Sequence, residues 1–289
     1  MGLSVSKSPS EAPRTTHTSR RMQVFVQFHI PKTGGESVNS WFRLHAPSNR
    51  YLRVQSEKDF NAALGTVQQA LANSNSTNST RIYIEVHAGT APSWQSLQGP
   101  SGRLHALRRQ PGLELTTFTV LREPISWVIS AYNYVCGGVQ HEKACSAGRH
   151  DVASMSRTLR SNPQCAYLLY GWSGWTLSPG PSPSEELCST VLSSLRHNMD
   201  FVGHSDCLDA IFSWLSSRMQ LGAVLHPNSS DLHTNEGPGH YRTPVGWEPV
   251  TAGQLTFTVS ERLRNLTWLD HRMYNAFSSK ACSPTVRLR

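Results

Sequence analysis

Acidic residues are scarce in this chain: 19 Asp and Glu stand against 27 Lys and Arg, leaving a formal charge of +8 at neutral pH. That imbalance favours an anionic ligand or partner, a class that still spans nucleic acid, membrane surface, acidic glycan and small phosphorylated cofactor. The positive charge is not gathered into a recognition element, so nucleic-acid binding is not expected. Long apolar runs are missing too. No stretch approaches the roughly 20 apolar residues of a membrane-spanning helix, and the first residues lack the apolar segment of a secretory signal. No CxxC pair occurs among Cys136, Cys145, Cys165, Cys188, Cys207 and Cys282, whose wide spacing opposes a compact zinc knuckle. No internal repeat is visible, which sets aside the solenoid architectures.

What remains is a globular composition. At 289 residues, 38% of them hydrophobic and with eight Trp and nine Phe, the chain can bury one substantial core. Residues 1–21 show no hydrophobic periodicity and read as a disordered polar leader, 22–280 as a single domain, and 281–289 as a C-terminal tail. The leader begins Met1-Gly2-Leu3-Ser4-Val5-Ser6, a match to the myristoylation pattern too short to fix membrane association. Sequons begin at Asn75, Asn78, Asn228 and Asn265, and with an even cysteine count they point to a secretory lumen. The missing signal segment points the other way: either the natural N-terminus lies upstream, or the chain is intracellular and the sequons are accidental. Cys136 and Cys145 could close a short disulfide loop in an oxidising compartment, and the remaining pairing is open.

Met22–Phe28 is rich in β-formers and reads as a strand, His29–Gly35 as a loop, and Ser37–His45 as a helix with Val38, Trp41 and Phe42 near one face. The spacing of Phe60, Ala63, Leu64, Val67 and Leu71 predicts a second helix. Arg81–Val86 and Leu115–Leu121 read as further strands, with a short helix over Arg103–Arg109 between them and a helix from Ser126 to Val135 beyond. In the later half, Glu185–Arg196 and Asp206–Met219 are helical patterns around a short strand at Met199–Gly203. Leu263, Leu266, Leu269, Met273 and Phe277 fall along one final helix of roughly five turns. Alternating strands and helices predict an α/β fold with a central, mostly parallel sheet flanked by helices. Its ligands are expected at the carboxyl ends of the strands.

Three such strand ends carry chemistry. His29-Ile30-Pro31-Lys32-Thr33-Gly34-Gly35-Glu36-Ser37 joins a strand to a helix: Gly34 and Gly35 let the backbone approach an anion, Lys32 supplies a cation, and Thr33 and Ser37 supply hydroxyls. The lysine precedes the glycines, so the segment is neither GxxxxGK[ST] nor GxGxxG, which weakens a P-loop phosphotransferase reading. About 90 residues further on, Leu121-Arg122-Glu123-Pro124 follows another strand. Arg122 can form a forked contact with phosphate, and Ser130 lies on the helix that follows. His87 closes the third strand and can accept a proton near neutrality.

The first segment resembles the 5'-phosphosulfate loop of the membrane-associated glycan sulfotransferase superfamily, the heparan sulfate O-sulfotransferase-like proteins, whose versions often read close to HIPKTGGTS. Leu121–Tyr132 resembles that family's second cofactor motif, in which an Arg and a Ser eight positions later hold the 3'-phosphate. Lesser likenesses lie in Asn162–Leu169, in Phe201–Asp206 and in Asp270–Tyr274. The resemblance implies a P-loop-containing, sulfotransferase-like fold with 3'-phosphoadenylyl sulfate as the sulfate donor. It implies Lys32, Thr33, Gly34, Gly35, Ser37, Arg122 and Ser130 as donor-binding residues, and a Golgi lumen or membrane setting. The implied acceptor is a hydroxyl on a glycan or glycoconjugate, acidic in one version, with a peptide acceptor as the alternative. Glu36 departs from the pattern. It stands where the family commonly has Thr, and its charge opposes phosphosulfate binding unless it points away or pairs with Lys or Arg.

In sulfate transfer the acceptor oxygen attacks sulfur in line with departure of 3'-phosphoadenosine 5'-phosphate. Lys32 suits the charge developing on the bridging oxygen, and His87 suits the acceptor's proton, with Glu85 and His29 as rival bases. No metal is expected, because cationic side chains can do this work and no ligand cluster is visible along the chain. Competing readings are protein-tyrosine O-sulfation and a noncatalytic glycan- or nucleotide-binding protein on the same fold. Arg103, His105, Arg108 and Arg109 read as an anion-attracting patch or as a solvated helix face. Trp94, Trp127, Trp172 and Trp175 read as sugar-stacking surfaces or as core.

Overall fold

Every residue of β1 (Met22–Phe28) is buried, as expected of a strand with parallel neighbours on both edges and helices over both faces. The computed structural model describes residues 22–45, 50–73, 80–90, 93, 94, 97, 102–137, 160–171, 182–221, 249–278 and 282, with backbone alone for 88–90 and 135–137. Beside β1 lie β3 (Arg81–Thr90) and β4 (Leu113–Leu121), flanked in turn by β2 (Tyr51–Ser56) and β5 (Phe201–His204). The order is β2-β3-β1-β4-β5, and every pairing is parallel. The α/β expectation therefore holds at the level of architecture.

The edge strand β2 was not anticipated. Its six residues include Arg53, Gln55 and Ser56, and only Val54 is buried, so it lacks the apolar run that reveals a central strand. Helices α1 (Gly35–His45), α2 (Glu57–Ala72), α3 (Arg103–Arg108) and α4 (Pro124–Gly137) follow the first four strands in turn. The later helices are α5 (Pro163–Tyr170), α6 (Glu185–Asn198), α7 (Leu208–Arg218), α8 (Phe257–Leu266) and α9 (Trp268–Asn275). One face of the sheet buries Phe25, Tyr83 and Phe118 against Trp41 and Phe42 of α1 and Phe212 and Leu215 of α7. The other buries Val24, Val26, Ile82 and Ile84 with Phe60 and Val67 of α2 and Leu104 of α3.

The single final helix expected from apolar spacing is two helices. The chain breaks at Thr267 (φ −115, ψ 19), whose hydroxyl donates to Leu263 O at 2.8 Å. Asn162 Oδ1 accepts the Leu269 N–H at 2.9 Å and so caps α9. In return Asp270 accepts the N–H groups of Gln164 (2.9 Å) and Cys165 (2.8 Å) at the start of α5. The apolar period runs on across the break, because the core face is kept while the caps come from about 100 residues away. Thr267 is also the third residue of the Asn265 sequon; its hydroxyl is buried while Asn265 itself is exposed.

Cys165–Cys188 ties α5 to α6, and Cys207–Cys282 ties the turn after β5 to the C-terminal segment. The proposed Cys136–Cys145 loop, the leader, Trp172, Trp175 and the sequons at Asn75, Asn78 and Asn228 lie outside the described residues or side chains.

Candidate functional site

The glycine loop leaves β1 and enters α1 through two left-handed residues, Lys32 (φ 66) and Gly34 (φ 85). Such reversals turn successive backbone N–H groups toward one concavity, which suits an anion. Gly35 is required for a second reason: a Cβ there would lie 2.1 Å from the His29 ring. The Thr33 hydroxyl donates to Ile30 O at 2.7 Å, tying the loop to itself. Helix α4 grips the loop from the side. Trp127 Nε1 donates to Pro31 O at 2.7 Å, and the Lys32 ammonium lies 4.6 Å from the centre of the Tyr134 ring. Burial and the nearby Arg122 charge lower the Lys32 pKa to about 8, against a smaller upward pull from Glu36.

Arg122, from the end of β4, reaches the same loop: its Nη1 donates to Lys32 O at 3.0 Å. Two strand ends that are neighbours in the sheet thus put their cations together. Glu123 is spent on structure, accepting the N–H groups of Ile125 (3.2 Å) and Ser126 (2.7 Å) at the start of α4. Ser130 follows Trp127 by three residues and precedes Tyr134 by four, which puts all three on one helical stripe. Both of its stripe neighbours touch the loop.

On the other side of the loop, parallel register pairs Phe28 with Val86, and His29 N donates to Val86 O at 3.0 Å. His29 and His87 consequently stack, with ring centres 4.3 Å apart. Alternation places Glu85 on the same face as His87, and its carboxylate takes His29 Nδ1 at 2.6 Å, lies 3.8 Å from His87 Nδ1, and accepts the Tyr51 hydroxyl. Burial pushes the Glu85 carboxyl up, but the His29 hydrogen bond and charge, joined by Tyr51, outweigh it and hold the pKa at about 2. Burial, followed by the charge of His29, drives the His87 pKa down to about 3, against the attraction of Glu85.

Arg53 sits directly opposite Glu85 in the β2–β3 register, with its guanidinium 3.7 Å from Glu85 and 3.7 Å from Glu36. The carboxylate that departs from the family pattern therefore faces an arginine.

No family model and no curated protein matches this chain.

Folding makes a cluster that the linear sequence hides. His29, Glu36, Glu85 and His87 offer ligand atoms all within 4.8 Å of one another, a grouping that is not visible along the chain. Arg53 already provides a counter-cation to both carboxylates, and Tyr51 occupies one Glu85 oxygen. The basic patch resolves differently. Arg103 pairs with Glu57, and Arg108 binds Asp200 at 2.8 Å and Thr117 at 2.7 Å, so two of its four members are structural ties. Trp94 and Trp127 are core residues. Sequence reasoning missed Tyr51 and Arg53 with their strand, and it gave Gln164 no individual role.

Proposed function

We propose that this chain transfers a sulfuryl group from 3'-phosphoadenylyl sulfate to an acceptor hydroxyl on a carbohydrate. The observation that carries this reading is the convergence of Lys32 and Arg122, 90 residues apart, joined by the 3.0 Å bond from Arg122 Nη1 to Lys32 O. A donor with phosphate at both ends needs two cationic positions in one crevice, and a left-handed glycine loop supplies N–H groups for one of them. In this reading the loop, with Thr33, Gly34, Gly35 and Ser37, takes the 5'-phosphosulfate, while Arg122 and Ser130 take the 3'-phosphate.

The acceptor oxygen attacks sulfur, the bond from sulfur to the bridging phosphate oxygen breaks, and the acceptor's proton passes to His87. Lys32 stabilises the charge that collects on the bridging oxygen. His87 is favoured over its rivals. It lies on β3 with its ring only partly buried, and Glu85 at 3.8 Å stabilises the imidazolium that results. Burial and the His29 charge lower its pKa to about 3, so it takes the proton only as the sulfur–oxygen bond forms and the acceptor proton becomes strongly acidic. His29 is buried with one nitrogen on Glu85 and its other edge against Gly35.

The test is an assay of the purified chain with 3'-phosphoadenylyl sulfate and a panel of neutral glycans, acidic glycans and tyrosine peptides. Sulfated product and released 3'-phosphoadenosine 5'-phosphate are both measured. Sulfated glycan is the expected result. Sulfated peptide would move the acceptor to protein, and tight donor binding without product would turn the reading to a noncatalytic one.

A further inference from the structure

Arg122 stands one residue past the end of β4, where the described ladders to β1 and β5 have stopped. Its backbone N–H and C=O both turn to one side chain. The N–H donates to Gln164 Oε1 at 3.0 Å, and Gln164 Nε2 donates to Arg122 O at 2.8 Å. A primary amide provides donor and acceptor in one plane, so Gln164 continues the ladder for one residue where no strand does. Gln164 is 1% exposed, and its own backbone is pinned, because its N–H donates to Asp270 Oδ2 at 2.9 Å. At the far end, the Arg122 guanidinium rests on the Lys32 carbonyl. One line of direct hydrogen bonds thus runs from Asp270 through α5 and Gln164 to Arg122 and the glycine loop.

We propose that Gln164 is the positioning residue for Arg122, fixing the backbone from which the guanidinium reaches the 3'-phosphate of the donor. This rests on the sulfuryl-transfer reading above. An arginine side chain has several rotatable bonds, and anchoring its root removes the one source of error that its own contacts cannot correct. Gln164 touches no donor atom in this assignment and acts through Arg122.

The consequence is selective. Binding of 3'-phosphoadenosine 5'-phosphate and of adenosine 5'-phosphate, which differ by the 3'-phosphate, is measured on the full chain and on Gln164→Met, whose side chain has similar length and makes neither bond. The native chain should prefer the 3'-phosphorylated ligand, and Gln164→Met should cut that preference about tenfold with adenosine 5'-phosphate binding unchanged. If thermal melting shows that Gln164→Met does not fold, Gln164→Asn, polar but one methylene short, makes the same comparison. A preference that survives in the folded variant, or equal weakening of both ligands, overturns the assignment. Arg122→Ala separates the two levels. If it abolishes the preference while Gln164→Met keeps it, the donor reading stands and Gln164 is only structural. If the native chain shows no preference, the donor reading fails and takes this assignment with it.

Discussion

The two flanks of the glycine loop are built by different physics. Beside the glycine loop that carries Lys32 the contacts are mostly ionic: Glu36, Glu85 and Arg53 are charged groups drawn from three elements, with two imidazoles stacked among them. Around Arg122 the support is mostly neutral, an amide on a peptide unit and two helices that cap each other. Charge balance is adjustable and responds to pH and salt, whereas buried hydrogen-bond geometry is rigid and fails abruptly when a partner is lost. The contrast suits the proposed sulfuryl transfer, in which bonds would change at one end and the 3'-phosphate would only be held at the other.

The sharpest way to break the ionic end is Lys32→Met, expected to lower kcat by about a hundred- to a thousandfold in the sulfate-transfer assay. The corresponding break in the neutral end is Asp270→Ala. It strands two buried N–H groups at the start of α5 and should cost about 3 kcal/mol in denaturant unfolding. A smaller effect is expected from pH. In the proposed reading Lys32 holds the donor as the ammonium, and its pKa is lowered to about 8, so donor affinity should hold at lower pH and decline as pH rises through that value. Lys32→Arg should flatten the profile, since guanidinium stays charged; a decline that persists in Lys32→Arg would assign it to another group. Smallest of all, Arg53→Ala should weaken donor binding about threefold at low salt by leaving Glu36 unopposed, since the pair is half-exposed. Glu36→Gln in the same chain should restore it, and equal loss in both variants would show that Arg53 acts elsewhere.

What could be read in advance follows the same division. The glycine loop, the arginine after β4 and the buried strands were legible because each is a local pattern of residue types next to an apolar run. The Arg53 contacts were not, since β2 is a polar edge strand and its place beside β3 depends on a register that no short window contains. The His–Glu cluster was hidden for a related reason: His29 and Glu85 are 56 residues apart, and only parallel pairing makes them neighbours. The split at Thr267 was invisible because periodicity reports which face is buried and carries no information about a cap supplied by Asn162.

The exchange of caps between α5 and α9 also constrains how the chain comes into being. Asn162 completes α9 and Asp270 completes α5, so each helix lacks a terminus until the other has docked. During synthesis α5 emerges long before α9, and it must wait with its first N–H groups open to water. A chain cut short before Asp270 would keep the whole sheet, the glycine loop and Arg122. It would still lose the anchor beneath Gln164, so the backbone support of Arg122 is complete only once α9 has been made and docked.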